Sequence, residues 1–130
     1  EFPLLLIKMS GEARRKAVFE ALEWVGLSDK ISSKPSQLSG GECQRVAIAR
    51  AMVKKPEIVL ADEPTANLDS ANSHHILQTM EKLNRDLRTT YVFATHDYKV
   101  SGSHRRMISS ADGTVAADEQ MTPENRGGRS

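Results

Sequence analysis

Residues 57–69 read Glu57-Ile58-Val59-Leu60-Ala61-Asp62-Glu63-Pro64-Thr65-Ala66-Asn67-Leu68-Asp69. The run over 57–61 is continuously apolar after its glutamate. Strands without alternation belong to sheets buried on both faces, as parallel sheets are. The loop over 62–68 opens on two carboxylates and turns at Pro64. Asp69 or Ser70 then caps a helix predicted over 70–88, with Ile76, Met80, Leu83 and Leu87 as its apolar stripe. Thr90-Tyr91-Val92-Phe93-Ala94 is a second β-rich run. Strand, helix and strand in that order predict a right-handed parallel crossover, and so an α/β fold. Two strands cannot cover their own faces and edges, so the sheet is expected to have further strands that this chain lacks.

Upstream, Leu38-Ser39-Gly40-Gly41-Glu42-Cys43-Gln44-Arg45 precedes an apolar-periodic run from Val46 to Val53. This predicts a helix from about 40 to 54, with Val46, Ala49 and Val53 on one face, Ile48 and Met52 beside them, and Pro56 closing it. Ser39 and Glu42 have capping-box spacing, which accounts for both polar residues. It leaves Gly40 and Gly41 unexplained, because each weakens a helix by about 1 kcal/mol relative to alanine. The expectation is that something approaches the backbone closely there. Bare helix N–H groups and the helix dipole suit an anion, here a nucleotide phosphate.

An earlier helix is predicted after the cap Ser10, with Val18, Ala21, Leu22 and Val25 on one face and Gly26 as its stop. Residues 28–36 read as a polar connector, and residues 1–8 as a short apolar lead. Beyond 95, Met107-Ile108-Ser109 and Thr114-Val115-Ala116 flank Asp112-Gly113, a hairpin turn signal. Residues 119–130 read as a polar tail. Compositionally, 1–55 is mainly helical and 56–118 is an α/β unit.

The 130 residues carry a net charge of +1, which points to neither nucleic acid nor membrane. One cysteine, Cys43, excludes an internal disulfide. The longest apolar run, Leu4-Leu5-Leu6-Ile7, is far short of a membrane span. The chain opens on Glu1-Phe2-Pro3 with no signal-peptide pattern, so it is expected to begin part-way through something larger.

Candidate chemistry gathers at strand ends, where open parallel sheets bind ligands. Adjacent residues leaving a strand point apart, so Asp62 and Glu63 can do two jobs. Asp62 is the candidate Mg²⁺ holder, through water, since magnesium keeps much of its hydration shell. Glu63 is the candidate for polarising an attacking water. His96, just past the second strand, is the candidate donor to a terminal phosphate or to that water. His74, His75 and His104 have no assigned role.

Together these residues resemble the ATP-binding-cassette ATPases. Leu38-Ser39-Gly40-Gly41-Glu42 is similar to the family's signature motif. Ile58-Val59-Leu60-Ala61-Asp62 with Glu63 resembles the Walker B strand and catalytic glutamate. Asn67-Leu68-Asp69 resembles the D-loop, and His96 the switch histidine. The four occur in the family's order and spacing over 38–97. The run from Ala61 to Asp69, and Pro3-Leu4-Leu5, look most like the lipoprotein-release and macrolide-export branch. The resemblance implies the C-terminal part of a P-loop NTPase (RecA-like) parallel sheet plus the cassette's helical subdomain. It implies ATP and Mg²⁺ as cofactors, with Glu63 and His96 catalytic and Asp62 on the metal. Ser39, Gly40, Gly41, Glu42 and Asp69 would meet nucleotide or dimer interface across a pair of cassettes.

Implied partners are a second cassette and a transmembrane permease docking near residues 1–27, with no nucleic acid. The implied location is cytoplasmic, on the inner face of the membrane. The family's Gly-x-x-x-x-Gly-Lys-Ser/Thr loop is missing: no Gly-Lys pair occurs in the 130 residues. Gln37 lies inside the signature region and is not the family's glutamine-loop residue. The isolated chain is therefore expected to be inactive alone. Two alternatives stand beside this reading. One is a truncated cassette acting as an interaction module that supplies the signature motif in trans. The other is a chromosome-maintenance or repair ATPase, which ranks lower because no heptads are sustained.

Overall fold

A computed structural model of the chain describes residue 4, residues 9–96 and residues 104–120. Its elements are α1 (Gly11–Trp24), α2 (Gly40–Met52), β1 (Ile58–Asp62), α3 (Ser70–Leu87), β2 (Thr90–Ala94), β3 (Arg106–Ala111) and β4 (Thr114–Gln120). Short 3₁₀ turns at Ser28–Lys30 and Pro35–Gln37 lie in the connector between α1 and α2. The chain divides into two compact units, Glu1–Ala94 and Thr95–Ser130.

In the first unit each helix starts on a side-chain cap. Ser10 accepts from the amide of Ala13, Ser39 from that of Glu42, and Asp69 from that of Asn72. α1 stops as its sequence predicts. Gly26 takes φ +69°, and the Leu27 amide donates back to the Leu22 carbonyl at 2.9 Å. Leu27 is thereby buried behind the last turn. α2 ends at Met52, two residues before the expected limit, and Lys55 turns left-handed ahead of Pro56.

One core joins the three helices. Ala21 from α1 and Val25 just past its end, Ile48, Ala49 and Met52 from α2, and Ile76, Met80 and Leu83 from α3 belong to a single buried cluster that also takes in Leu4. The predicted stripes are the buried faces because 3.6-residue periodicity puts those positions on one side.

β1 and β2 pair in parallel, with Ile58 opposite Thr90 and Asp62 opposite Ala94. Polar bonds tie the turn after α3 to the start of β1. Thr89 donates its hydroxyl to the Pro56 carbonyl at 2.8 Å, and Asn84 donates to the Thr89 carbonyl at 2.7 Å. The expected burial on both faces is corrected here. Val59, Ala61, Tyr91 and Phe93 pack on the core, whereas Ile58, Leu60 and Val92 are 61%, 77% and 51% exposed. The helices cover only one face of this pair. Burial also pushes the Tyr91 phenol up to about 12, and its hydroxyl points at the Met52 sulfur, 3.1 Å away.

The second unit is an antiparallel hairpin, β3 with β4. Asp112 and Gly113 both take positive φ, 50° and 76°, as a two-residue type I′ turn requires. Arg106 holds Asp118 through two bonds of 2.8 and 2.6 Å. β4 runs to Gln120, so Glu119 and Gln120 are strand rather than tail. The rest of the expected tail, 121–130, and the apolar lead over 1–8 apart from Leu4 lie outside the described residues.

Candidate functional site

Two segments of the first unit carry most of the candidate residues. The first is the glycine turn that opens α2. Ser39 Oγ accepts the Glu42 amide at 3.2 Å, and Glu42 Oε2 accepts the Ser39 amide at 2.8 Å, a complete capping box. The Ser39 amide holds the Glu42 carboxyl below the usual glutamate range, and Lys30, 3.6 Å away, adds to the effect. Gln37 accepts the Lys34 amide at 2.8 Å and so is spent within its own turn. Cys43 is exposed, with its sulfur 4.0 Å from the Pro35 and Leu38 carbonyls.

The second segment is the loop from β1 into α3. Asp62 ends β1 on an exposed position opposite Ala94. Glu63 follows with φ 44°, a left-handed conformation that L-residues other than Asn and Asp seldom adopt. Its amide is fixed by the Ala94 carbonyl at 2.8 Å, and its carbonyl accepts from Ala66 at 3.0 Å. A second left-handed residue, Asn67, re-aims the chain into the Asp69 cap. Both Asp69 oxygens accept from Asn72, the backbone amide at 2.9 Å and the side-chain amide at 2.6 Å. The backbone bond first, then the side-chain bond, holds the Asp69 carboxyl below its ordinary range.

The structure joins the two segments. A Cβ on Gly41 would stand 2.5 Å from Asn72 Oδ1 and 3.0 Å from its Cγ, and one on Gly40 would meet only Leu68 Cδ2 at 3.8 Å. Within this chain, the group that approaches the Gly41 backbone is its own Asn72, and no comparably close group meets Gly40. One turn further on, Gln44 Nε2 donates to the Pro64 carbonyl at 2.8 Å, next to Glu63. Arg45 lies 3.3 Å from His75 Nδ1. Sequence reading missed Asn72 and Gln44. An asparagine three positions after an aspartate cap signals its bond to Asp69, but not its approach to Gly41.

His96 lies in the second unit, two residues past the end of β2, and is exposed. Among the described residues no group of three or more His, Cys, Asp or Glu could hold a metal ion. The single carboxylate of Asp62 suits Mg²⁺, which takes one or two carboxylates and completes its shell with water and phosphate oxygens. A phosphate cradle of the Gly-Lys kind has no counterpart in the 130 residues.

A family model described as ABC transporter matches residues 4–66, the stretch that spans the glycine turn, β1 and both strand-end carboxylates. The chain belongs to the ATP-binding-cassette ATPases. The ATP-binding protein LolD of a lipoprotein-releasing system in Pseudoalteromonas translucida is 47% identical over 119 residues, which are 92% of this chain and 51% of that protein. A macrolide export ATP-binding/permease protein, MacB of Rhodopseudomonas palustris, is 43% identical over 124 residues, 95% of this chain and 19% of that one. Among solved structures, the dimeric bacterial ABC transporter cassette MJ0796 superposes with a TM-score of 0.75 at 44% identity, covering 92% of this chain and 53% of that chain. The cassette cbiO1 of Clostridium perfringens gives 0.85 at 28% identity, with 92% and 48% covered. The chain spans about half the length of LolD and of these cassettes. Its parallel sheet, helices and strand-end loop are those of the cassette fold.

Proposed function

We propose that this cassette chain is the C-terminal part of an ATP-binding and ATP-hydrolysing subunit of an ABC transporter, of the exporter or lipoprotein-release type. The observation that carries the reading is the linkage of the glycine turn to the strand-end loop through Gly41–Asn72–Asp69 and Gln44–Pro64. Residues 1–55 serve as the helical subdomain and 56–120 as part of the ATPase core.

Bound with Mg²⁺, ATP supplies a γ-phosphoryl group whose transfer to water is driven mainly by positioning and charge neutralisation. Glu63 orients and polarises the attacking water. Its left-handed backbone is pinned by the Ala94 carbonyl, and the neighbouring Asp62 is the residue that would hold Mg²⁺ through water. His96 donates a hydrogen bond to phosphate or water. Ser39, Gly40, Gly41 and Glu42 present their helix start to nucleotide held by a second cassette, and Asp69 faces that interface. The subunit works on the inner face of the membrane with a permease that docks near residues 1–27. Among the described residues no helix is long and apolar enough to cross a membrane.

The 130-residue chain has no phosphate cradle of its own, so its purified form is expected to turn over no ATP at millimolar concentration. Turnover that Glu63→Gln abolishes would overturn this. A formed glycine turn without a cradle favours a second reading, in which the chain supplies the signature motif to a complete cassette in trans. Stimulation of such a cassette, lost on Ser39→Arg, supports that reading, and absence of pairing sinks it.

A further inference from the structure

We propose that Asn72 is a positioning residue that locks the Asp69 turn to the glycine turn at Gly41, so that the two segments are held as one preset unit. The Asp69 carboxylate can only accept, so the side of the Asn72 amide facing it must be Nδ2, and the 2.6 Å bond fixes that orientation. Oδ1 is then turned toward Gly41, where a Cβ would come within 2.5 Å of it.

The bond to Asp69 holds the amide in the space that a side chain at 41 would need, so rotating the amide to clear a larger residue there would break that bond. The Asn72 backbone amide also donates to Asp69 and caps α3, so the cap itself survives loss of the side chain. Asn72 is half-buried, which restricts the rotamers open to it. That the unit is offered whole to a second cassette rests on the function proposed above; the lock itself does not.

The test is a double-variant cycle read by NMR on the full chain. Asn72→Ala is expected to shift the Gly41 amide resonance and to raise the Asp69 titration midpoint part-way toward its ordinary value, because one of two donors remains. Gly41→Ala is expected to raise the same midpoint by displacing the amide, and the double variant to raise it no further than Asn72→Ala alone. Gln78→Ala, on the exposed side of α3, is expected to change neither signal. Additive effects of the two substitutions, or an unmoved Gly41 resonance in Asn72→Ala, would overturn the lock. If Gly41→Ala does not fold, the Gly41 resonance in Asn72→Ala decides alone. A cycle that behaves as expected, in a chain that stimulates no complete cassette, overturns the trans reading and leaves the lock standing.

Discussion

Ser39 and Glu42 form a reciprocal cap whose energetics can be separated from any ligand. Removing the Ser39 hydroxyl leaves the Glu42 amide without its acceptor, and caps of this kind are worth about 1 kcal/mol. Ser39→Ala is therefore expected to lower the thermal midpoint by several degrees, measured by circular dichroism. Glu42 adds a pH dependence. Its folded midpoint lies below the ordinary 4.5, chiefly through the Ser39 amide. A depressed carboxylate stabilises the fold above the unfolded value and stops doing so as pH falls through the folded one. Glu42→Gln should flatten the stability profile below pH 4.5 and leave its shape near neutrality unchanged. Glu63 is the opposite case, a residue held in a conformation it disfavours. Left-handed backbone costs a non-glycine residue roughly 1–2 kcal/mol, and asparagine tolerates it best. Glu63→Asn is expected to match or exceed the parent in urea unfolding, while the β-branched Glu63→Val should lose about that amount. A glutamate retained against this cost fits a role in chemistry better than one in folding.

At the scale of elements, periodicity and caps carried nearly everything within the first unit. α3 was legible from Asp69 and the stripe Ile76, Met80, Leu83 because burial follows helical spacing, and Ile76 is indeed fully buried. Leu83 is equally enclosed, so Leu83→Ala should destabilise by about 3 kcal/mol, the loss expected for a buried leucine whose cavity collapses only in part. Equilibrium denaturation in urea measures it. The β1 run misled in one respect. Apolar residues at every position identified a parallel strand, but which faces are covered depends on what packs there, and the helices described cover one. The hairpin was legible from Asp112-Gly113, though not its length, since Glu119 and Gln120 read as polar tail while β3 provides them backbone partners. The linkage between Gly41 and Asn72 was not legible either. It joins residues of two helices, and local spacing contains no information about which side chain fills a glycine's space.

At the scale of the whole chain, the exposed face of β1 and β2 is the described surface on which self-association is expected. Ile58, Leu60 and Val92 form an apolar strip on a two-stranded sheet, an arrangement that invites association. Leu60 is 77% exposed, so Leu60→Lys should change stability by less than about 0.5 kcal/mol while lowering self-association, as followed by light scattering against concentration. A large loss of stability would mean that the strip is covered in solution.

The bond from Thr89 to the Pro56 carbonyl joins groups 33 positions apart, and β1 meets β2 across almost the same span. Such a closure costs chain entropy before any ladder bond is gained, whereas α3 needs only neighbours to begin forming. Order of assembly follows: α3 shortens the path between the strands, and the sheet is zipped last. In pulsed hydrogen exchange during refolding, amides of α3 should gain protection before those of β1 and β2, and simultaneous protection would indicate that strand pairing and helix formation share one nucleus.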